Sequence, residues 1–154
     1  HSDGIIRRFW NGKVKGVDGL VSHVSFDTTA KKLFVADTGN KRILVLDPSE
    51  GRRMTNMPGN EVIVERAYYE APVVELTTGG VLEAPSGLEA SGGLVFTTDA
   101  KTSKIHAFDQ KDGSLVRSFD TGLPAGSLAG MNFGPDGKIY LVHRKGGAVY
   151  RLDP

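Results

Sequence analysis

Apolar residues fall in short runs divided by turn residues, and Lys32 to Asp47, KLFVADTGNKRILVLD, shows the pattern most clearly. Leu33-Phe34-Val35-Ala36 is one run and Ile43-Leu44-Val45-Leu46 another. Between them, Asp37-Thr38-Gly39-Asn40 is turn chemistry: Asp accepts bonds from following backbone N–H groups, and Gly and Asn tolerate positive φ. Asp47-Pro48 ends the second run, because Pro cannot continue a ladder. Runs that are apolar on both faces suit strands buried on each side.

The stretch recurs. Shifted by 62 residues without gaps, Phe34 falls on Phe96, Asp37 on Asp99, Ile43 on Ile105 and Asp47 on Asp109. A further shift of 44 takes Phe96 to Tyr140, Ile105 to Val149 and Asp109 to Asp153. The preceding strand recurs as Val24–Asp27, Gly87–Ala90 and Gly130–Phe133. A more alternating strand type, suited to a half-solvated outer position, covers Gly4 to Gly12, Val73 to Gly79 and Ser114 to Gly122.

Four-stranded units repeating at about 40–50 residues predict an all-β chain of β-propeller blades, each of four antiparallel strands. The units are expected at about 20–79, 80–122 and 123–154, the last completed by 4–12. Residues 50–71 have no counterpart in the other units and read as an insertion loop, with a strand at Val62–Val64 and a short helical turn at Glu65–Tyr69. Such loops carry function more often than strands do. Three blades do not close a ring, which takes about four to eight. Two arrangements stay open: a segment of a longer, six-bladed propeller, or two chains closing a six-bladed ring as a homodimer.

The copy VSHVSFDTTAKKLFVADTGNKRILVLDPSEG resembles an NHL repeat, with its V-A-D-x-x-N-x-R-I-x-V core. The second copy keeps Asp99, Lys104 in place of the Arg, and Ile105; the third keeps only the apolar pattern. The resemblance implies a propeller, commonly six-bladed, and no single activity, since similar propellers include protein-binding modules, RNA-binding modules and enzymes. It leans towards an extracellular or periplasmic setting, which nothing else in the sequence fixes.

Composition narrows the partners. A net charge of +1 over 154 residues gives no global field for nucleic acid or anionic membrane. No run of about 18 apolar residues is present to span a bilayer, so no membrane partner is expected. Cysteine is absent, which removes thiol catalysis and zinc–thiolate sites. The chain opens on His1 with no signal-like segment, compatible with a processed product or an excerpt of a longer chain. Arg7, Arg8, Trp10, Lys13 and Lys15 form a local basic and aromatic group, short of the broad footprint that RNA requires.

Candidate chemistry is sparse. His23 lies on the innermost strand type, facing a propeller's channel, with Pro85 and Ala129 as its equivalents. Lyase relatives implied by the resemblance hold zinc with inner histidines. Asp27 and Glu89 read as equivalent, with Asn132 near the third position, and the lactonase-like propellers hold Ca²⁺ with such oxygens. Asp37 and Asp99 read as structural, paired with Arg42 and Lys104. The third unit has His143-Arg144-Lys145 there, beside Gly146-Gly147, a candidate seat for an anion. The reading is a module that binds a protein or small-molecule ligand and scaffolds, needing no cofactor. The alternative is a propeller hydrolase or lyase with a divalent metal, Ca or Zn, in the channel, held by His23, Glu89 or Asn132.

Overall fold

The computed structural model describes residues 7–8, 13–55, 67–78 and 80–153. The strands are β1 (Arg7–Arg8), β2 (Val24–Asp27), β3 (Lys32–Asp37), β4 (Arg42–Leu46), β5 (Arg52–Thr55), β6 (Ala67–Glu70) and β7 (Val73–Thr78). They continue as β8 (Pro85–Ser91), β9 (Leu94–Asp99), β10 (Lys104–Asp109), β11 (Leu115–Asp120), β12 (Leu128–Phe133), β13 (Ile139–His143) and β14 (Ala148–Leu152). One 3-10 turn, Thr38–Asn40, joins β3 to β4. No α-helix occurs among the described residues.

Unit 1 is the antiparallel sheet β2-β3-β4-β7, unit 2 is β8-β9-β10-β11, and unit 3 is β12-β13-β14. A separate small sheet has the order β1-β6-β5. Its β5 and β6 form an antiparallel hairpin within the insertion, with Arg53 opposite Tyr69. The region expected to make a helical turn is therefore partly strand: Tyr68 and Tyr69 belong to β6, where aromatic residues fit a pleated surface. The strand expected at Val62–Val64, and Glu65, lie outside the described residues. Arg7–Arg8 pairs in parallel with Ala67–Tyr68, and the outer edge of β14 has no partner strand among the described residues.

Pairing register fixes which positions correspond. Ser25 lies opposite Phe34, Glu89 opposite Phe96 and Asn132 opposite Tyr140. Each unit buries one face against its neighbour. Phe34, Ala36 and Ile43 of unit 1 pack with Leu82, Leu88, Val95 and Phe108. Phe96, Ile105 and Ala107 of unit 2 pack with Leu128, Met131, Ile139 and Leu141 of unit 3. Each fully buried Phe, Leu or Ile contributes about 1.5–3 kcal/mol relative to exposure, so these two seams hold the units together.

The turn after β3 uses its residues differently from the expectation. The left-handed residue is Lys41, at φ 56°, and its N–H donates to the Thr38 carbonyl at 3.3 Å. Gly39 is needed for closeness instead. Its N–H donates to the Lys15 carbonyl at 2.7 Å, and a Cβ there would lie 2.7 Å from the same oxygen.

Candidate functional site

The acidic residues of the turns are occupied by the fold. Asp37 is fully buried. Its Oδ1 accepts the Lys15 N–H at 2.8 Å, and its Oδ2 accepts Asn40 Nδ2 at 2.9 Å and Arg42 Nε at 2.7 Å. Arg42 also pairs with Glu75, and the bond to Asp37 is the main cause that raises its guanidinium above the ordinary range. Asp99 accepts four backbone N–H groups: Glu83 and Ala84 on Oδ2, Lys101 and Thr102 on Oδ1. Lys104 differs from Arg42. Its Nζ lies 3.8 Å from Asp120, and Asp99 is saturated by backbone.

The inner strands β2, β8 and β12 carry the channel candidates. Pairing places Val24, Leu88 and Met131 at one level, opposite Val35, Thr97 and Leu141. The residues before them are His23, Gly87 and Gly130, so these are the true equivalents, and Pro85 and Ala129 are not. Register irregularities between Pro85 and Leu88, and between Leu128 and Met131, displace the ungapped alignment. Half-buried His23 reaches unit 3: a Cβ on Gly130 would come within 3.0 Å of its Cε1. Its backbone N–H donates to the Ser86 carbonyl at 3.2 Å.

Glu89 corresponds to Ser25 and Asn132, and not to Asp27. Ser25 Oγ donates to Glu89 Oε2 at 3.1 Å and accepts the Ala90 N–H at 3.0 Å. The geometry therefore brings Ser25 and Glu89 together on neighbouring inner strands, with exposed Asn132 at the same level on the third. Asp27 is directed elsewhere. Its Oδ1 accepts the Thr29 and Ala30 N–H groups, and its Oδ2 accepts Gln110 Nε2 at 2.9 Å. The Ala30 N–H and the Gln110 amide hold its carboxyl below the usual range, against the opposing effect of burial. Among the described residues no three His, Asp or Glu side chains form a group suited to a metal.

The basic turn of unit 3 spreads over separate partners. Arg144 Nη1 donates to the Gly19 carbonyl at 3.3 Å, and Lys145 Nζ donates to the Ala125 carbonyl at 2.7 Å. His143 lies beside Tyr150, with ring centroids 5.8 Å apart. Both its ring nitrogens are shielded and have no hydrogen-bond partner among the described residues. The three side chains do not converge on one seat. Lys13 and Lys15 act through their backbone, the Lys13 carbonyl accepting Asn40 Nδ2 at 2.6 Å. Trp10 lies outside the described residues.

A concave site forms where no motif announced one. A cleft of about 960 Å³ opens between units 1 and 2, at the end carrying the β2–β3 and β9–β8 turns. Phe34, Val45, Val74 and Leu76 supply apolar lining, and Asp27, Asp47, Glu50, Glu75 and Asp112 outnumber Lys32 and Lys111 among its charged residues. Glu50, the first residue of the insertion, and Pro72, the residue that follows it, also line it. Gln110, which clamps Asp27 across the two units, was not singled out by sequence. Neither was His106, which is buried with Nδ1 2.8 Å from Ser118 Oγ. Burial is the main cause that lowers the His106 pKa, while the Asp99 charge opposes it.

No family model matches the chain, and no curated protein matches it in sequence. Solved structures do resemble it. A luciferin-regenerating enzyme is 14% identical with a TM-score of 0.54, over 79% of this chain and 36% of that one. A streptogramin B lyase is 15% identical with a TM-score of 0.46, over 84% of this chain and 50% of that one. A candidate 6-phosphogluconolactonase from Bacteroides uniformis is 20% identical with a TM-score of 0.49, over 92% of this chain and 44% of that one. The chain thus spans between about a third and a half of the length of these structures. With the sheets described above, the first likeness establishes the fold: an all-β chain of β-propeller blades.

Proposed function

We propose that the chain is an NHL-like propeller module that binds a ligand or protein segment and scaffolds it, without catalysis of its own. The cleft between units 1 and 2 carries this reading. Ligand sites are characteristically concave, mostly apolar and supplied with a few fixed polar groups. Here Phe34, Val45, Val74 and Leu76 give the apolar lining, while Asp27 and Asp47 are held in place by Gln110 and Lys32. The excess of carboxylates suits an apolar group bearing an amine. The NHL-like assignment rests on the V-A-D-x-x-N-x-R-I-x-V copy, whose Asp, Asn and Arg lock the turn after β3.

The test is methyl NMR during titration with hexylammonium chloride, with hexanoate as the opposite-charge control. Selective shifts at Val45, Val74 and Leu76 with the amine, lost on Val74→Glu, are the expected result. Equal responses to both probes, or shifts only outside the cleft, would sink the reading.

A second reading draws on the register of Ser25, Glu89 and Asn132, which puts two metal-capable oxygen side chains at one level of the inner strands. In it, the chain contributes Glu89, Asn132 and His23 to a divalent site of a hydrolase or lyase. Calcium or zinc titration of the protein, with Glu89→Gln as control, separates the two: stoichiometric binding lost in that variant favours the enzyme.

A further inference from the structure

Every unit has a trailing face towards the following unit and a leading face towards the preceding one. Phe34, Ala36 and Ile43 form the trailing face of unit 1 and are fully buried under unit 2. Their register equivalents in unit 2, Phe96, Thr98 and Ile105, are buried as well. The same positions in unit 3 are Tyr140, Val142 and Val149, and they are 36%, 46% and 70% exposed. The leading faces show the converse. Leu88 and Met131 are buried beneath the preceding unit, whereas the equivalent Val24 of unit 1 is 60% exposed and Phe26 beside it 48%.

The exposed residues are therefore two half-interfaces of the kind that closes twice inside the chain. An apolar patch of this origin is not an ordinary scatter of surface hydrophobics. Leu44 and Leu46, on the outer half of unit 1's leading face, are already buried, so its seat lies along the inner strands at Val24 and Phe26. The edge of β14, which has no partner strand among the described residues, adjoins the other half.

We propose that the partner of each face is a second copy of this chain, docked head to tail, with unit 3 of each copy against unit 1 of the other. The occupant is argued from the chain's own chemistry: the face that covers Phe34 and Phe96 is a leading face, and the described residues leave uncovered the inner part of one leading face and one trailing face. Two copies bring six units, within the about four to eight of closed propellers. A heterologous contact that closes gives a discrete ring, and one that fails to close gives an open fibre. The inference does not depend on the cleft.

Light scattering after size exclusion, on the chain and on two single variants, tests it. Val149→Glu spoils the trailing face and Val24→Glu the leading face; both sites are exposed, and circular dichroism checks that each variant folds. The expected result is a dimer for the parent chain and a monomer for each variant. Mixing the two variants then restores dimers, because one of the two junctions is intact in the mixed pair. A monomeric parent, a dimer that survives both substitutions, or the absence of restoration on mixing would overturn the proposal. Open-ended growth with concentration would overturn ring closure.

Discussion

Gln110 Nε2 donates to Asp27 Oδ2 at 2.9 Å, joining the β10–β11 turn of unit 2 to the β2–β3 turn of unit 1. The same amide donates to the Leu94 carbonyl at 3.0 Å, so its position is fixed from its own unit. Asp27→Ala removes this clamp and leaves the Thr29 and Ala30 N–H groups without their acceptor; urea melts are expected to show a loss of about 1–3 kcal/mol. Gln110→Ala loses less, about 1 kcal/mol, and the double variant less than the sum. Because Asp27's folded pKa is lowered from 3.8, the stability it supplies is present above that value and is lost as pH falls through the lower, folded one. Asp27→Asn flattens that part of the pH profile.

Asp37 and Arg42 set a larger effect. Removing the carboxylate leaves the half-buried guanidinium, the Lys15 N–H and the Asn40 amide without their shared acceptor. Asp37→Ala is expected to destabilise by about 3–5 kcal/mol, the range for breaking a buried pair by deleting one partner. Asp109, half-buried at the end of β10, accepts only the Lys111 N–H through its side chain among the described residues, and Asp109→Ala is expected to cost under half as much in the same melts.

His106 gives a pH dependence near neutrality. Its folded pKa is lowered from the ordinary 6.5, so the unfolded chain binds the proton more readily. Stability is thus full above 6.5 and declines as pH falls from there through the folded value. Thermal melts between pH 7.5 and 5 should show that decline in the parent chain and a shallower one in His106→Gln, which keeps a polar group near Ser118. Equal slopes would rule out His106 as the source.

Gly87 and Gly130 occupy equivalent places with different neighbours. A Cβ on Gly87 would meet Thr98 Oγ1 at 2.7 Å, the Ala129 carbonyl at 2.8 Å and the Met131 nitrogen at 2.9 Å. Two of these are backbone and cannot turn aside. Gly87→Ala is expected to lose about 1–3 kcal/mol as overpacking. At Gly130 the obstacle is the His23 ring, so Gly130→Ala is expected to cost less and to be relieved when combined with His23→Ala. A double-mutant cycle in denaturant measures the relief.

The repeat was legible because identical pairing imposes the same apolar spacing each time: Phe34, Phe96 and Tyr140 stand at one register position as the shifts of 62 and 44 imply. The structural role of Asp37 and Asp99 was legible too, since a turn needs an acceptor for its N–H groups. Inner-strand correspondences were not. The irregularities before Leu88 and Met131 add residues without an apolar signature, which misassigned the partners of His23 and Glu89. The cleft was also hidden, because Asp27, Val45, Val74 and Gln110 meet only through folding and belong to no common motif.

The alternation of covered and uncovered faces has a consequence for motion. In a stack where each unit touches only its neighbours, stability varies along the stack and local opening begins where a neighbour is missing. Among the described residues, unit 2 alone has both faces covered by neighbouring units. Its amides in β9, near Phe96 and Thr98, should then exchange with deuterium most slowly in the single chain. The β13 and β14 amides near Val142 and Val149 should exchange faster, opening without the rest of the molecule.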